Sequence, residues 1–209
     1  TISNIAAIAT GNTDIVLASN GVAFRWDDNV LTSLGYSNVI AISSAPGENN
    51  ILLLQSDGSV ISMGDNQNGE SIPPGSLTNI VAMTAGDDFT VALKTDGTLL
   101  QYGLSGGDLV DQVAAATNIM AIAANPGEVF GLTRYHTVLN WPDWDDSFTP
   151  PEGLTNVVAI AAGYSHVMAL LNNGTVVTWG DDDLPPPPGL NNVKAIAAGN
   201  DFCLALHSN

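Results

Sequence analysis

The sequence predicts an all-β protein, a closed β-propeller of short antiparallel blades with three to four strands each. Three observations carry that expectation. One motif recurs six times, most copies hold a β-hairpin signal, and the first strand of each copy is built of small residues. The motif is clearest in the segment 156–180, NVVAIAAGYSHVMALLNNGTVVTWG. Related copies open at Asn4, Asn38, Asn79, Asn118 and Asn192 within the 209 residues. The opening Asn residues are spaced from 34 (Asn4 to Asn38) to 41 (Asn38 to Asn79) residues apart. A period of that size with varied gaps marks a repeat architecture whose loops absorb insertions. The copies place residues 1–209 in one domain. Six first-strand copies favour six blades, although the last copy stops before its third strand.

Each copy reads as three strands. The first is the AIAAG run, slim enough to crowd a central axis. Repeating small antiparallel sheets around an axis is the propeller solution to exposed strand edges. A turn of Gly and polar residues follows, then an apolar second strand such as HVMALL or FTVALK. Next come Asn20-Gly21, Asp57-Gly58, Asp96-Gly97 and Asn173-Gly174. Such a dipeptide between two β-rich runs is the strongest short hairpin signal, because the tight primed turn needs positive φ. The third strand is GTVVTW or a relative, and Pro- and Gly-bearing loops lead onward. Helix patterning is absent. An open β-solenoid is the alternative, but its rungs are usually shorter than these repeats.

Composition narrows the function classes. Hydrophobic residues make up 45% and charged residues 12%, far from the signature of a disordered chain. Four Lys and Arg stand against 21 Asp and Glu, a net charge of −17. Phosphate backbones and anionic lipid should repel such a chain, which argues against nucleic-acid or membrane-surface binding. A cationic partner fits the sign. No apolar run reaches membrane-spanning length, so no membrane insertion is expected. Cys203 is the only cysteine, which excludes an intrachain disulfide and a cysteine-rich zinc site. Its place in the apolar run CLAL reads as core rather than as a reactive thiol. Thr1 in place of an initiating Met leaves two readings, a removed leader and an artificial boundary. Asn173-Gly174-Thr175 is a glycosylation sequon inside a predicted turn.

The pattern V-x-A-I-A-A-G-x-x-H-x-x-A-L-x-x-(D/N)-G-T-V-x-x-W-G, matched nearly throughout by Val157 to Gly180, resembles the repeat of the regulator of chromosome condensation family. The resemblance covers essentially the whole chain and implies seven blades as the second choice after six. The other copies are degraded. The family His falls on Ile15, Ile51, Thr90, Phe130 and Cys203 or Phe202, and Arg134-Tyr135-His136 replaces the Asp-Gly turn in the fourth copy. The short repeats are similar to the bacterial branch, which includes secreted propellers that bind and inhibit β-lactamases through aromatic and acidic side chains on one face. The resemblance implies a secreted or extracellular binder. The family's exchange-factor role on chromatin is disfavoured by the acidity and the lack of basic arms.

Topology sorts the charges. The turn after AAG and the loop after the third strand share one end of each blade, and the Asn-Gly turns share the other. The first end receives Asp14, Asp27, Asp28, Glu48, Asp65, Glu70, Asp87, Asp88, Glu128, Asp143, Asp145, Asp146, Asp181, Asp182, Asp183 and Asp201. The second receives Asp57 and Asp96, while Asp108, Asp111 and Glu152 fall in connectors. Trp144, Tyr164, Phe89 and Phe202 join the first end, and rigid aromatics beside polar groups are typical interface anchors. The expected ligand-binding set is Trp144, Tyr164, Asp145, Asp146, Asp87, Asp88, Phe89, Asp181, Asp182 and Asp201. Trp26 and Trp179 close third strands and read as blade packing. The carboxylates read first as a solvated rim and second as a landing surface for a cationic partner. A calcium site at Asp181-Asp182-Asp183 comes last, since the spacing matches no EF-hand loop. No metal and no cofactor are expected.

Catalysis has little support. His166 occupies the family position and reads as scaffold, and its neighbour Ser165 does not make a triad. No nucleophile elbow, phosphate loop or HExxH motif exists. The favoured function is a non-catalytic module that binds a protein partner with an acidic, aromatic-bearing face. A carbohydrate-binding lectin is the alternative and an enzyme ranks third. Oligomeric state is not legible.

Overall fold

The computed structural model describes residues 4–11, 13–45, 50–64, 69–71, 77–103, 112–142, 148–180 and 185–208. They form six small antiparallel sheets, the blades of a propeller. Blade 1 has four strands, β1 (Ile5–Ala9), β2 (Asp14–Ala18), β3 (Ala23–Asp27) and β4 (Val30–Ser33). Blade 2 holds β5 (Val39–Ser44), β6 (Ile51–Gln55) and β7 (Val60–Met63), and blade 3 holds β8 (Ile80–Ala85), β9 (Phe89–Lys94) and β10 (Leu99–Gly103). Blade 4 holds β11 (Ile119–Ala124), β12 (Glu128–Thr133) and β13 (Val138–Pro142), and blade 5 holds β14 (Val157–Ala162), β15 (His166–Leu171) and β16 (Val176–Gly180). Blade 6 is the pair β17 (Val193–Ala198) and β18 (Cys203–His207). A single helical turn at 112–114 precedes blade 4.

Local chemistry explains why each copy folds alike. Every opening Asn is left-handed, from φ 54° at Asn192 to φ 63° at Asn4. Asn tolerates that region far better than branched residues do. A β-bulge then follows the first residue of β1, β5, β8, β11, β14 and β17. The hairpin turns meet the expected positive φ at Gly21, Gly58, Gly97 and Gly174. In the fourth copy His136 takes that place at φ 62°, with its Nδ1 2.9 Å from the Val157 carbonyl oxygen. Asp57 and Asp96 close their turns by accepting from Ser59 and Thr98, at 2.6 Å from each hydroxyl. Those hydroxyl and amide donors hold both carboxyls below the usual Asp value.

The second strands set the register of the whole ring. Leu17, Leu54, Leu93, Leu132, Leu170 and Leu206 each pair with the Ala that follows the bulge in their own first strand. Two residues earlier stand Ile15, Leu52, Val91, Phe130, Met168 and Leu204. In blades 1 to 5 these two positions turn toward the following blade and are buried. Phe130 meets Val167, Leu132 meets Val157 and Ala169, and Met168 and Leu170 meet Val193 and Cys203. Burying a side chain of this size contributes about 1.5–3 kcal/mol, so the blade-to-blade seams hold most of the core.

The first strands β1, β5, β8, β11, β14 and β17 ring a central cavity of about 360 Å³. Neighbouring first strands pack against each other from β1 through β17. No comparable packing joins β17 or β18 to β1 or β2 among the described residues. The closed ring expected from the sequence is therefore open on one side, between a thin last blade and the first. The reason is physical: among the described residues β18 carries no third strand, and its outward face meets no following blade.

Replacing Asn156 with Val should lower stability by about 1–2 kcal/mol, the cost of a left-handed residue with a Cβ branch, whereas Asn156→Gly should stay close to the parent. Urea denaturation of the two variants checks this.

Candidate functional site

The end of the propeller that bears the AAG turns is the candidate site. Each turn links a first strand at the cavity to a second strand, so its residues rim the cavity mouth. Gly163, Gly199 and Asn200 stand there with Thr10, Ser44 and Thr84. The glycines are needed because a ring folds back over them. A Cβ at Gly86 would strike the Phe89 ring, at Gly163 the His166 ring and at Gly199 the Phe202 ring.

Strand register corrects the assignment of the repeated ring position. Four residues before the paired Leu of each second strand stand Thr13, Asn50, Phe89, Glu128, His166 and Phe202, so Ile15, Ile51, Thr90, Phe130 and Cys203 are not the equivalents of His166. All but Phe202 are buried. Phe89, expected on the binding face, therefore lies in the core with Val91 and Val129. Glu128 is likewise drawn inside. Its backbone N–H donates to Asn125 Oδ1 at 2.6 Å, and Asn140 Nδ2 donates to its Oε2 at 3.3 Å. Glu70 is buried as well, and its carbonyl oxygen accepts from the Thr90 hydroxyl at 3.0 Å.

The remaining expected residues divide. Tyr164, Asp88 and Asp201 are exposed in the turns, and Asp87 is half-buried. Trp144, Asp145, Asp146, Asp181 and Asp182 lie outside the described residues, as do Glu48, Asp65, Asp143 and Asp183. Trp141 is core, in contact range of the cluster around Val113 and Ile119. Trp179 packs as expected, with its Nε1 donating to the Phe148 carbonyl at 2.7 Å.

Blade 1 supplies residues outside the expected ligand-binding set. Trp26 is exposed and shares a surface cavity of about 340 Å³ with Gly11, Thr13, Asp14, Asp27 and Asp28. Arg25 spans the edge of this cavity and bonds Asp27 at 3.1 Å. The signal was present as Trp26-Asp27-Asp28 at a strand end, but reading the Trp as packing hid it.

Charge is unevenly spread along the axis among the described residues, with Arg25 at the AAG-turn end and Asp57 and Asp96 exposed at the hairpin end. Exposed Asp14, Asp27, Asp28, Asp88 and Asp201 stand at the AAG-turn end. Three of the four cations, Lys94, Arg134 and Lys194, stand at the other end, beside the hairpin turns or the first bulge. That far end also exposes the bulge residues Ile40, Val81, Met120 and Val158. Val81 and Met120 line an apolar cavity of about 460 Å³ with Lys94, Arg134 and His136. Burial pushes the Cys203 thiol up, away from reactivity, and burial likewise pushes the Tyr102 phenol up to about 12. Among the described residues no three His, Cys, Asp or Glu converge as a metal site would require. No helix is long and apolar enough to cross a membrane.

Residues 157–184 match the regulator of chromosome condensation (RCC1) repeat. No curated protein sequence matches the chain. Among solved structures, Prp20p of Saccharomyces cerevisiae, studied for its binding to Gsp1p and histones, is similar with a TM-score of 0.73 at 17% identity, over 96% of this chain and 68% of that one. Human WBSCR16 is similar with a TM-score of 0.78 at 17% identity, over 98% of this chain and 72% of that one. The ectodomain of the Arabidopsis thaliana receptor kinase ACR4 gives 0.68 at 17% identity, over the full 100% of this chain and 92% of that one. At these identities the likeness is one of fold: RCC1-like propellers share this architecture.

The rim between blades 2 and 3 is tied by a buried side chain. Asn50 Nδ2 donates to Thr90 Oγ1 at 3.3 Å, and Ser71 Oγ donates to Asn50 Oδ1 at 3.4 Å. Asn50→Ala should cost about 1–3 kcal/mol, the penalty for leaving buried partners unsatisfied, measured as a drop in the urea midpoint.

Proposed function

We propose that this RCC1-like repeat chain is a non-catalytic module that binds a cationic protein surface with the carboxylate-bearing end of its propeller. The observation that carries the reading is the bias of charge among the described residues: exposed Asp14, Asp27, Asp28, Asp88 and Asp201 against Arg25 at one end, and Lys94, Arg134 and Lys194 against Asp57 and Asp96 at the other. A surface of one sign steers an oppositely charged partner and fixes its orientation. Tyr164 supports the same reading as an exposed aromatic set in a turn at that end. The turn is held from beneath by a backbone bond, Gly163 N–H to the His166 carbonyl at 2.8 Å, so the anchor is pre-positioned. Prp20p, which shares the fold, binds proteins. The buried His166 sits under a turn rather than in an open cleft.

The test is affinity capture from the native source at low and at high salt, followed by titration of the recovered protein. Asp88→Asn with Asp201→Asn should weaken binding several-fold and flatten its salt dependence, since exposed charges act through screened attraction. Tyr164→Ala should cost about 1–2 kcal/mol of affinity, the range of an interface anchor. Val81→Asp with Met120→Asp, at the far end, should change neither. Loss of binding only in the far-end variant would contradict the reading, and release of the captured material by free sugar would replace it with a lectin.

A further inference from the structure

Two of the chain's four Lys and Arg residues border one cavity. Lys94 and Arg134 stand on the wall of the hairpin-end cavity of about 460 Å³, where blades 3 and 4 meet. In a chain of net charge −17, two cations beside one cavity are a local reversal of sign. The floor next to them is apolar. Leu93 and Ile119 are buried there, while Val81 is 48% exposed and Met120 is 47% exposed. Val81 and Met120 occupy the bulges of β8 and β11, which turn them away from the seams and toward this cavity.

The fourth hairpin turn departs from the repeat at this wall. The turns of the other complete copies read Ser19-Asn20-Gly21, Ser56-Asp57-Gly58, Thr95-Asp96-Gly97 and Asn172-Asn173-Gly174, and the fourth reads Arg134-Tyr135-His136. A cation replaces a neutral side chain, a Tyr replaces the Asn or Asp, and an imidazole replaces Gly. His136 keeps the left-handed backbone, at φ 62°, where the four glycines lie between φ 80° and φ 84°. A side chain costs energy in that region, and such residues cluster at functional sites. The ring is fixed by its Nδ1, 2.9 Å from the Val157 carbonyl oxygen. A carbonyl only accepts, so Nδ1 carries the proton, and Nε2 is the other polar atom of a ring that lines the cavity.

Among the described residues neither Lys94 nor Arg134 forms an ion pair; the pair there is Arg25 with Asp27, at the opposite end. Asp96, two residues from Lys94, is engaged by its own turn. It accepts from the Thr98 N–H at 2.9 Å and from the Thr98 hydroxyl at 2.6 Å, and Lys94 adds a weaker attraction from farther away. An apolar floor with cations on one wall matches a molecule divided in the same way, an apolar body that ends in an anion. Arg offers a carboxylate a planar two-pronged donor, and Lys offers a compact charge. The volume falls within the range of about 300–1,000 Å³ usual for small-molecule sites.

We propose that the cavity between the hairpin turns of blades 3 and 4 binds a small amphipathic carboxylate, with its apolar body on Val81 and Met120 and its carboxylate at Lys94 and Arg134. The site lies at the end opposite the aspartate-bearing turns, so it stands whether or not those turns bind a protein.

The probe is octanoate, titrated into the 209-residue protein and followed by calorimetry and by the NMR shifts of the Val81 and Met120 methyl groups. Octanoate should bind saturably, and octanol, octylammonium and acetate should each bind more weakly by roughly tenfold or more, since each lacks the anion or the apolar body. Lys94→Gln with Arg134→Gln should lower octanoate to the level of octanol. Met120→Asp should weaken it by a similar factor. Lys194→Gln, a cation at the same end that does not line this cavity, should leave the affinity unchanged. Circular dichroism confirms that the variants fold. Absence of saturable octanoate binding would overturn the site, and so would equal binding of octanoate and octanol. Octanoate affinity that survives the loss of both cations would overturn it as well. Shifts confined to the exposed Leu204 and Leu206 would also contradict it, by placing the ligand on the open side of the ring.

Discussion

Everything in this molecule hangs on one contact repeated around an axis. Alternate residues of β2, β6, β9, β12 and β15 enter the following blade, while the residues between them in β6, β9, β12 and β15 receive the blade before. Leu132 reaching Val157 and Ala169, and Leu170 reaching Val193, are two instances of the same seam. Because both faces of a second strand are buried, its sequence is a continuous apolar run rather than an alternating one. The first strands follow from the same constraint. They converge on the cavity, so Ala, Ser, Thr and Gly fill positions where larger side chains would hold the blades apart. Stability is then close to a sum over seams, as in other repeat architectures, and the place where a seam is absent is the place where apolar residues meet water.

That constraint also separates scaffold from function. The seams fix the strands and leave the turns at each end free to vary. At one end the turns carry Asp88, Tyr164 and Asp201, whose side chains take no part in a seam. At the other they carry the hairpin residues and most of the few cations. The same turns hold the buried ring position beneath them, filled by Thr13, Asn50, Phe89, Glu128 or His166. The exposed turn residues thus rest on a layer of unlike buried groups at the start of the second strands.

Much of the fold was legible because turns and periods are local. The opening Asn residues, the Asn-Gly and Asp-Gly hairpins and the small-residue first strands all stand where the sequence places them. What was not legible depends on register. An apolar run such as IVLA or ILLL has no internal mark to say which residue faces which blade, so the repeated ring position was misplaced by one or two residues in four copies. The bulges were hidden because they cost no special residue: Ile40, Val81, Met120 and Val158 simply point outward. Glu70 and Glu128 were assigned to the exposed end by their place in the turns and loops, and Asn140, a partner one strand away, reveals why Glu128 is drawn inside. Trp26 was read as blade packing from its place at a strand end, yet it is exposed, and among the described residues no blade packs against it as blade 3 does against Trp141. His136 takes a glycine's place at positive φ and gave no sequence signal beyond the broken motif.

The central claim is that seams between consecutive blades hold the fold and that one seam is missing. Residue-resolved native-state hydrogen exchange on the monomer tests it most directly. Slow exchange along β6, β9, β12 and β15, with β18 and β1 exchanging faster by orders of magnitude, is the predicted result. Protection of β18 equal to that of β15 would mean that the ring closes in solution, and the open-ring structure would be contradicted.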